Sequence, residues 1–247
     1  MTFKMINQKT ADYFNKWGRG YSDAWEPLAR RGLSGFETGL VRRAIERGLK
    51  KSGGRLIRTL DIGVGTGRIT KVFLDYDVAH FGIDVSSVMV EHCLGKFGGS
   101  ERVKRLEVYD IVNPLPDDWG KFDVVSAIRV LPYASQWREA LKNIYQALKP
   151  GGILVFNFPN KYSSTTVSKI VVGREHQSYA SSYGELRQIL AEIGFSQIEI
   201  TGFARLLDVF YAWCNGKVSA GILLATERFL RMVLGPTLFA RLLYCTC

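Results

Sequence analysis

Cysteine and histidine are scarce in this chain: four of one and three of the other among 247 residues. Cys93, Cys214, Cys245 and Cys247 show no metal-type pairing beyond the final Cys-Thr-Cys, which has no histidine near it, so no metal centre is expected. The same spacing excludes a disulfide scaffold and fits reduced thiols. No stretch reaches the roughly 18 unbroken apolar residues of a membrane span. The opening Met-Thr-Phe-Lys-Met-Ile-Asn-Gln-Lys lacks a signal-peptide apolar region. The expectation is a cytoplasmic protein, with membrane association left open. Internal repeats and low-complexity segments are missing too.

Acidic residues are few against basic ones, 23 to 33, and the imbalance is local. Residues 1–58 carry 13 Lys/Arg against 5 Asp/Glu, whereas the remaining 189 carry 20 against 18. The run Arg42, Arg43, Arg47, Lys50, Lys51, Arg55 and Arg58 reads either as the solvated face of a leading helix or as an attractor for an anionic partner. No aromatics interleave with it as in a nucleic-acid groove, so a nucleic-acid partner is not expected.

The length and the 47% apolar content suit one substantial core. Short apolar runs alternate with helical patterns, which predicts an α/β fold with a mostly parallel sheet and helices on both faces. Strands are expected near 56–62, 78–83, 103–109, 122–128, 152–158, 196–201 and 239–245. Helices are expected near 37–51, 67–75, 86–96, 135–148 and 183–193. Ser135 is the expected cap of the fourth, and Gly194 closes the fifth. The chain divides into a helical leader (1–52), an α/β core (53–202), an apolar helical insertion (203–238) and a last strand (239–247). The insertion reads as extra core, as a cover over an apolar acceptor, or as a membrane-facing surface. Residues 161–182, rich in Ser, Thr and Tyr, read as a loop over the mouth of the sheet.

The chemistry-bearing stretch is Leu60-Asp61-Ile62-Gly63-Val64-Gly65-Thr66-Gly67, directly after an apolar strand pattern. Strand, crowded glycines and helix start deliver a nucleotide-like ligand to a helix N-terminus. The dinucleotide fingerprint G-x-G-x-x-G fails, because Arg68 stands three after Gly65. A second strand ends on Asp84, about 20 residues past the loop, where nucleoside-binding α/β designs put a ribose-binding acid. A third ends in Asp110-Ile111, and Leu148-Lys149-Pro150-Gly151-Gly152 precedes the fifth.

Four such features in this order resemble the class I S-adenosylmethionine (SAM)-dependent methyltransferases over about residues 55–202, with D-x-G-x-G-x-G as motif I and L-x-P-G-G before strand five. The resemblance implies a Rossmann-like, seven-stranded, mostly parallel sheet with an antiparallel last strand and the helical insertion between strands six and seven. It also implies SAM as cofactor and S-adenosylhomocysteine (SAH) as product. Asp61, Gly63, Gly65 and Gly67 would hold the methionine moiety and Asp84 the ribose, with Val85 against the ring. Asp110 and Ile111 would flank the adenine. The end of strand four, with Ile128, Arg129 and Tyr133, would lie between donor and acceptor. There Arg129 would meet an acidic group of the acceptor or pair with Asp61 or a helix carboxylate, and Tyr133 would touch substrate or be core.

The leader aromatics, Tyr13 to Trp17 and Tyr21, resemble a segment that folds over the cofactor; the alternative is that they anchor a helix. Asn15 and Ser22 replace the acids of that pattern. Should the reaction need a base, His176 in the 161–182 loop is the candidate, since His80 sits in a strand and His92 on a helix. The expected reaction is methylation of O, N or C on a small or lipid-like acceptor by in-line displacement, a proximity-dominated chemistry. Peripheral membrane contact through 203–236 and the basic run goes with it. A nicotinamide oxidoreductase of the same sheet class and a non-catalytic SAM-fold protein at a membrane surface are the alternatives. Against the first, Thr166 stands where Tyr162 would need Lys.

Overall fold

The computed structural model describes residues 7–17, 28–163, 179–203 and 242–246, with positions 222, 225, 226, 229 and 232. Its helices are α1 (Gln8–Trp17), α2 (Leu28–Ser52), α3 (Arg68–Leu74), α4 (Ser87–Phe97), α5 (Trp137–Ala147) and α6 (Tyr183–Ile193). Strands β1 (Ile57–Ile62), β2 (Val78–Asp84), β3 (Val103–Val108), β4 (Phe122–Ala127) and β5 (Leu148–Pro159) run parallel. With β6 (Glu199–Phe203) and β7 (Leu242–Thr246) the sheet order is β3-β2-β1-β4-β5-β7-β6, and β7 is antiparallel to both neighbours.

Alternation along the strands explains the layers. Leu60, Phe81, Val125, Leu154 and Phe156 pack with Trp137, Leu141 and Ile144 of α5 and Leu186 and Leu190 of α6. Their immediate neighbours, Val124, Ile153 and Val155, turn the other way, onto Val41 and Ile45 of α2 and Val72 and Phe73 of α3. On α5 the apolar positions Trp137, Ala140, Leu141, Ile144 and Ala147 form one buried stripe. Truncating one of them, as in Leu141→Ala, costs about 2–5 kcal/mol. The chain leaves β1 for β2 on one side and returns to β4 on the other. This reversal opens a crevice at the carboxyl ends of the central strands.

Several elements differ from the sequence expectation, among them β6, which starts at Glu199 and not near 196. Helix α2 starts at Leu28, nine residues before the expected 37. The stretch Gly32-Leu33-Ser34-Gly35 carries two poor helix formers, and contacts distant in sequence stabilise it: Ser34 Oγ accepts from Arg68 at 3.0 Å, and Glu37 is wholly buried in an ion cluster. Helix α5 starts at Trp137 with no side-chain cap. Ser135 instead donates its N–H and Oγ–H to Asn7 Oδ1 at 2.9 and 3.0 Å. Strand β5 begins at Leu148, and its register against β4 shifts between Phe122 and Val124, where Lys149–Gly152 bulge out of the ladder. Helix α6 has the expected ends, a Ser182–Glu185 capping box and Gly194 at φ 115°.

His80 is core, stacked on Phe73 with its Nδ1 3.0 Å from Thr59 Oγ1, and burial pushes its pKa down to about 3. Much of the basic run is structural: Arg42, Arg47 and Arg55 pair with Asp75, Glu199 and Asp123. No helix among the described residues is long and apolar enough to cross a membrane. Of the expected 203–238 insertion, only Phe203 at the end of β6 and the helical positions 222, 225, 226, 229 and 232 are described; the remainder lies outside the described residues.

Candidate functional site

The β1–α3 turn is built from main chain. Gly63, Gly65 and Gly67 stand at φ 74°, 51° and 89°, the left-handed region that side chains disfavour. A Cβ on Gly63 would collide with the Val130 side chain, so this glycine also serves close packing. A Cβ on Gly65 would find only the Gly63 carbonyl, at 4.0 Å; this peptide faces the open crevice. The crevice is a cavity of about 450 Å³ at the carboxyl ends of the central strands. Its walls include all three glycines, Asp84, Val85, Met89, Tyr109, Ile111, Ile128, Arg129 and Tyr133, with Thr10 and Phe14 from α1.

Asp84, at the tip of β2, reaches across to the turn. Its Oδ2 accepts from Gly65 N–H at 2.9 Å and its Oδ1 from Ser86 N–H at 2.9 Å. Burial pushes its pKa up to about 6, opposed by these N–H donors. The acid one strand over therefore touches the glycine corner directly and stands in the cavity wall.

Asp61, expected among the ligand-binding residues, lies outside the cavity lining. Its carboxylate is buried beneath the turn, accepting from Thr70 Oγ at 2.9 Å and Ser126 Oγ at 2.7 Å. Desolvation raises its pKa to about 7 despite both hydroxyls. It joins β1, α3 and β4 under the loop.

Asp110, expected beside an adenine, is sealed from the cavity by the leader. Asn7 donates its backbone N–H to Oδ2 at 2.8 Å and its amide to both oxygens at 2.9 and 3.1 Å, while Val112 N–H reaches Oδ1 at 3.2 Å. Ile111, next in sequence, does line the cavity.

Helix α1 presents Thr10 and Phe14, one turn apart on one face. Thr10 Oγ donates to Tyr133 O at 3.0 Å, and the Phe14 ring meets Tyr133 edge-on at 5.6 Å. Tyr13, the expected cofactor contact, sits about 100° around the helix and is 40% exposed, with Phe14 in the lining instead. Ser86 Oγ donates to Asn15 Oδ1 at 2.7 Å, so Asn15 ties α1 to the residue capping α4. Tyr21 and His176 lie outside the described residues.

Arg129 pairs with a helix carboxylate, one of the expected alternatives. Its Nε and Nη2 donate to Glu37 Oε1 and Oε2 at 2.9 and 2.8 Å, a two-pronged contact. Arg68 shares the same Oε2 at 2.9 Å. The Arg129 backbone is left-handed, φ 64°, with its N–H held by Asn157 Oδ1 at 2.6 Å. Tyr133 is a cavity wall held by the leader. Asn7, Thr10, Glu37, Arg68, Met89 and Asn157 were not legible as site residues. Only Glu37 has a local signal: it interrupts the i, i+4 apolar row Leu33, Val41, Ile45, and an acid there needs a buried partner.

Among the described residues no three His, Cys, Asp or Glu side chains cluster as for a metal. The cradle fits a SAM-like nucleoside: bare main chain at Gly65, an acid beside it, and an apolar slot of Val85, Met89 and Ile111 for a base.

Residues 60–154 match the family model for a methyltransferase domain. The chain is 28% identical over 191 residues to the O-methyltransferase resE of Aspergillus sclerotiorum, covering 72% of this chain and 68% of that protein. It is 31% identical over 160 residues to the juvenile hormone acid O-methyltransferase of Drosophila melanogaster, covering 56% of this chain and 54% of that protein, so the match spans about half of that relative. The magnesium protoporphyrin IX methyltransferase of Synechocystis PCC 6803, solved with bound SAH, shares the fold at TM-score 0.63 and 18% identity, covering 97% of this chain and 98% of that one.

Proposed function

We infer the reaction from one premise: the chain is a class I SAM-dependent methyltransferase, with residues 60–154 as its methyltransferase domain, acting on a small molecule. SAM is the methyl donor and SAH the product. The observation that carries the site reading is the Asp84 carboxylate locked onto the Gly65 amide at 2.9 Å inside the cavity. In this reading the turn Gly63–Gly67 faces the donor's amino-acid end. Asp84 accepts from the ribose hydroxyls, and Val85, Met89 and Ile111 enclose the adenine.

When bound, the donor supplies a methyl on a sulfonium that departs as a neutral thioether, so the protein's task is alignment and exclusion of water. Thr10 and Phe14 close the cavity from the leader side through Tyr133. Arg129 and Tyr133 stand where the acceptor enters.

The acceptor atom is proposed to be oxygen on a small, largely apolar molecule. The two curated relatives named as O-methyltransferases support this choice, as does the mainly apolar lining of the cavity. The test is methyl transfer from methyl-labelled SAM to matched twelve-carbon probes: laurate, dodecanol and dodecylamine. Label on laurate or dodecanol is the expected result. Label confined to the amine overturns the oxygen assignment.

A further inference from the structure

In the stretch that joins β6 to β7, the described helical positions share one face. Ile222, Ala225, Thr226, Phe229 and Met232 fall within about 120° of the helix circumference. A helix ordinarily turns such a stripe toward a core. This one turns it outward: Ile222, Phe229 and Met232 are 64%, 58% and 76% exposed. Thr226, the one polar member, spends its hydroxyl on the Ile222 carbonyl at 2.9 Å. The face therefore offers water three large apolar side chains and no hydroxyl in need of a partner.

The stretch leaves and re-enters the sheet at the cavity end. Pro159 at the end of β5 and Phe203 at the end of β6 both pair with Leu242, where β7 begins. Three tyrosines stand exposed at that end of the molecule: Tyr162 just past β5, Tyr179, and Tyr183 at the start of α6. Tyr179 N–H donates to Pro132 O at 2.7 Å, next to the cavity wall at Tyr133. Lys161 joins the group, its Nζ 5.2 Å over the Tyr162 ring and 2.6 Å from Glu185. Side chains with an apolar body and a polar tip suit the headgroup layer of a bilayer.

Charge selects among the occupants of the apolar face. Residues 204–241 carry five Lys/Arg against two Asp/Glu. Helix α1, which flanks the cavity, adds exposed Lys9 and Lys16 against Asp12. A second copy of the chain would set like charge against like charge. An anionic lipid surface meets the excess with the opposite sign, and it takes up a convex helix face without a matching groove. The basic run of α2 has no part in this surface. Arg47 pairs with Glu199, the first residue of β6, and Lys51 donates to Gly151 O, both at the far end of the sheet.

We propose that the face of Ile222, Phe229 and Met232 docks the protein on an anionic lipid bilayer, with the tyrosines of the cavity end among the headgroups. The contact is one of lying on the surface, not of spanning it. The proposal goes beyond the methyltransferase reading and does not rest on it, and its test uses neither donor nor acceptor.

The test is cosedimentation of the full chain with two kinds of vesicle, phosphatidylcholine alone and equal parts of phosphatidylcholine and phosphatidylglycerol. Binding to the mixed vesicles is expected, much weaker on phosphatidylcholine alone and declining as salt is raised. Ile222→Ser, Phe229→Ser and Met232→Ser together should lower the partition coefficient roughly tenfold or more, and Met232→Ser alone roughly threefold. Tyr162→Ser with Tyr179→Ser should also cost roughly threefold. Arg43→Gln with Lys50→Gln, on the exposed side of α2, should leave binding unchanged. The Tm of the triple variant should match the wild type, because the three side chains are exposed. A marked fall in that Tm means that the chain covers the face itself, and overturns the proposal. So does a wild type that ignores the mixed vesicles, or a loss of binding confined to the α2 variant. A dimer in solution that the triple variant breaks names a second copy as the occupant and overturns it equally.

Discussion

Two neighbouring strand tips carry an aspartate each, and the protein uses them in opposite ways. At the end of β2, Asp84 is anchored from behind by the backbone amides of Gly65 and Ser86 and stays in the cavity wall. Just past β3, Asp110 is saturated by Asn7 and Val112, with no place in that wall. Asp84 is bound only by main-chain amides, of the neighbouring glycine turn and of its own, and keeps its place in the cavity wall. Acids bound by a segment 103 residues away become fasteners for that segment. On the proposed reading the pair separates donor binding from leader docking, and each is open to independent perturbation.

The largest expected effect belongs to the Asp84 side. Gly65→Val fills open cavity space and strains a left-handed backbone, so SAH affinity should fall on the order of 100-fold, equivalent to about 2.7 kcal/mol. Its Tm should change less than that of Gly63→Ala, where the new Cβ meets Val130. Normal SAH affinity in Gly65→Val would break the assignment of the turn. Next, Asp84→Asn should cost roughly 10–100-fold in SAH affinity by weakening charge-assisted hydroxyl contacts, and about 1 kcal/mol in stability, since one of the Gly65 and Ser86 amides then faces an NH2. The mirror image is expected for Asp110→Asn and Asn7→Ala. Each leaves buried donors or acceptors unmatched and lowers stability by about 1–3 kcal/mol, with a smaller change in SAH affinity. A variant of Asp110 that lost SAH as completely as Asp84→Asn would erase the distinction.

The smallest effect is a pH dependence. The carboxyl of Asp84 titrates near 6 in the fold, above its ordinary 3.8. SAH affinity should therefore be level above about pH 7 and decline below 6, as the acid takes up a proton and loses acceptor capacity. Stability of the ligand-free protein carries the opposite sign from this group. Between about pH 4 and 6 the folded state holds a proton that the unfolded chain releases, so the Asp84 contribution weakens as pH rises. Asp61, near 7 in the fold, acts likewise. His80, held neutral down to about 3, acts the other way below 6.5. Asp84→Asn should remove the pH dependence of binding and flatten part of the stability slope, which calorimetry across pH 4–8 measures.

The same contrast explains what was legible in the sequence. Buried parallel strands are apolar runs, so β1, β2 and β4 fell within a residue or two of their expected ranges, and the glycine turn with Asp84 followed from local spacing. The fastening of Asp110 was illegible because its partner, Asn7, carries no local pattern. Arg129 and Glu37 are 92 residues apart, and neither betrays the other. Nothing local marks the left-handed backbone of Arg129 either. Tyr13 and Phe14 were indistinguishable as leader aromatics until the helix phase put Phe14 inward. The early start of α2 escaped because its first turns depend on tertiary ties to Arg68 and not on helix formers.

The most direct test of the central claim, that the Gly63–Gly67 turn and Asp84 together hold a SAM-type nucleoside, is the thermal shift of the full chain with SAH and with NAD. At about 100 times Kd, a ligand specific for the folded state adds roughly 2.7 kcal/mol and raises Tm by roughly 5–10 °C for a chain of this size. The account predicts that rise with SAH, none with NAD, a much smaller rise in Asp84→Asn, and an intact one in Asp110→Asn. A shift with NAD instead, or an undiminished SAH shift in Asp84→Asn, would contradict it.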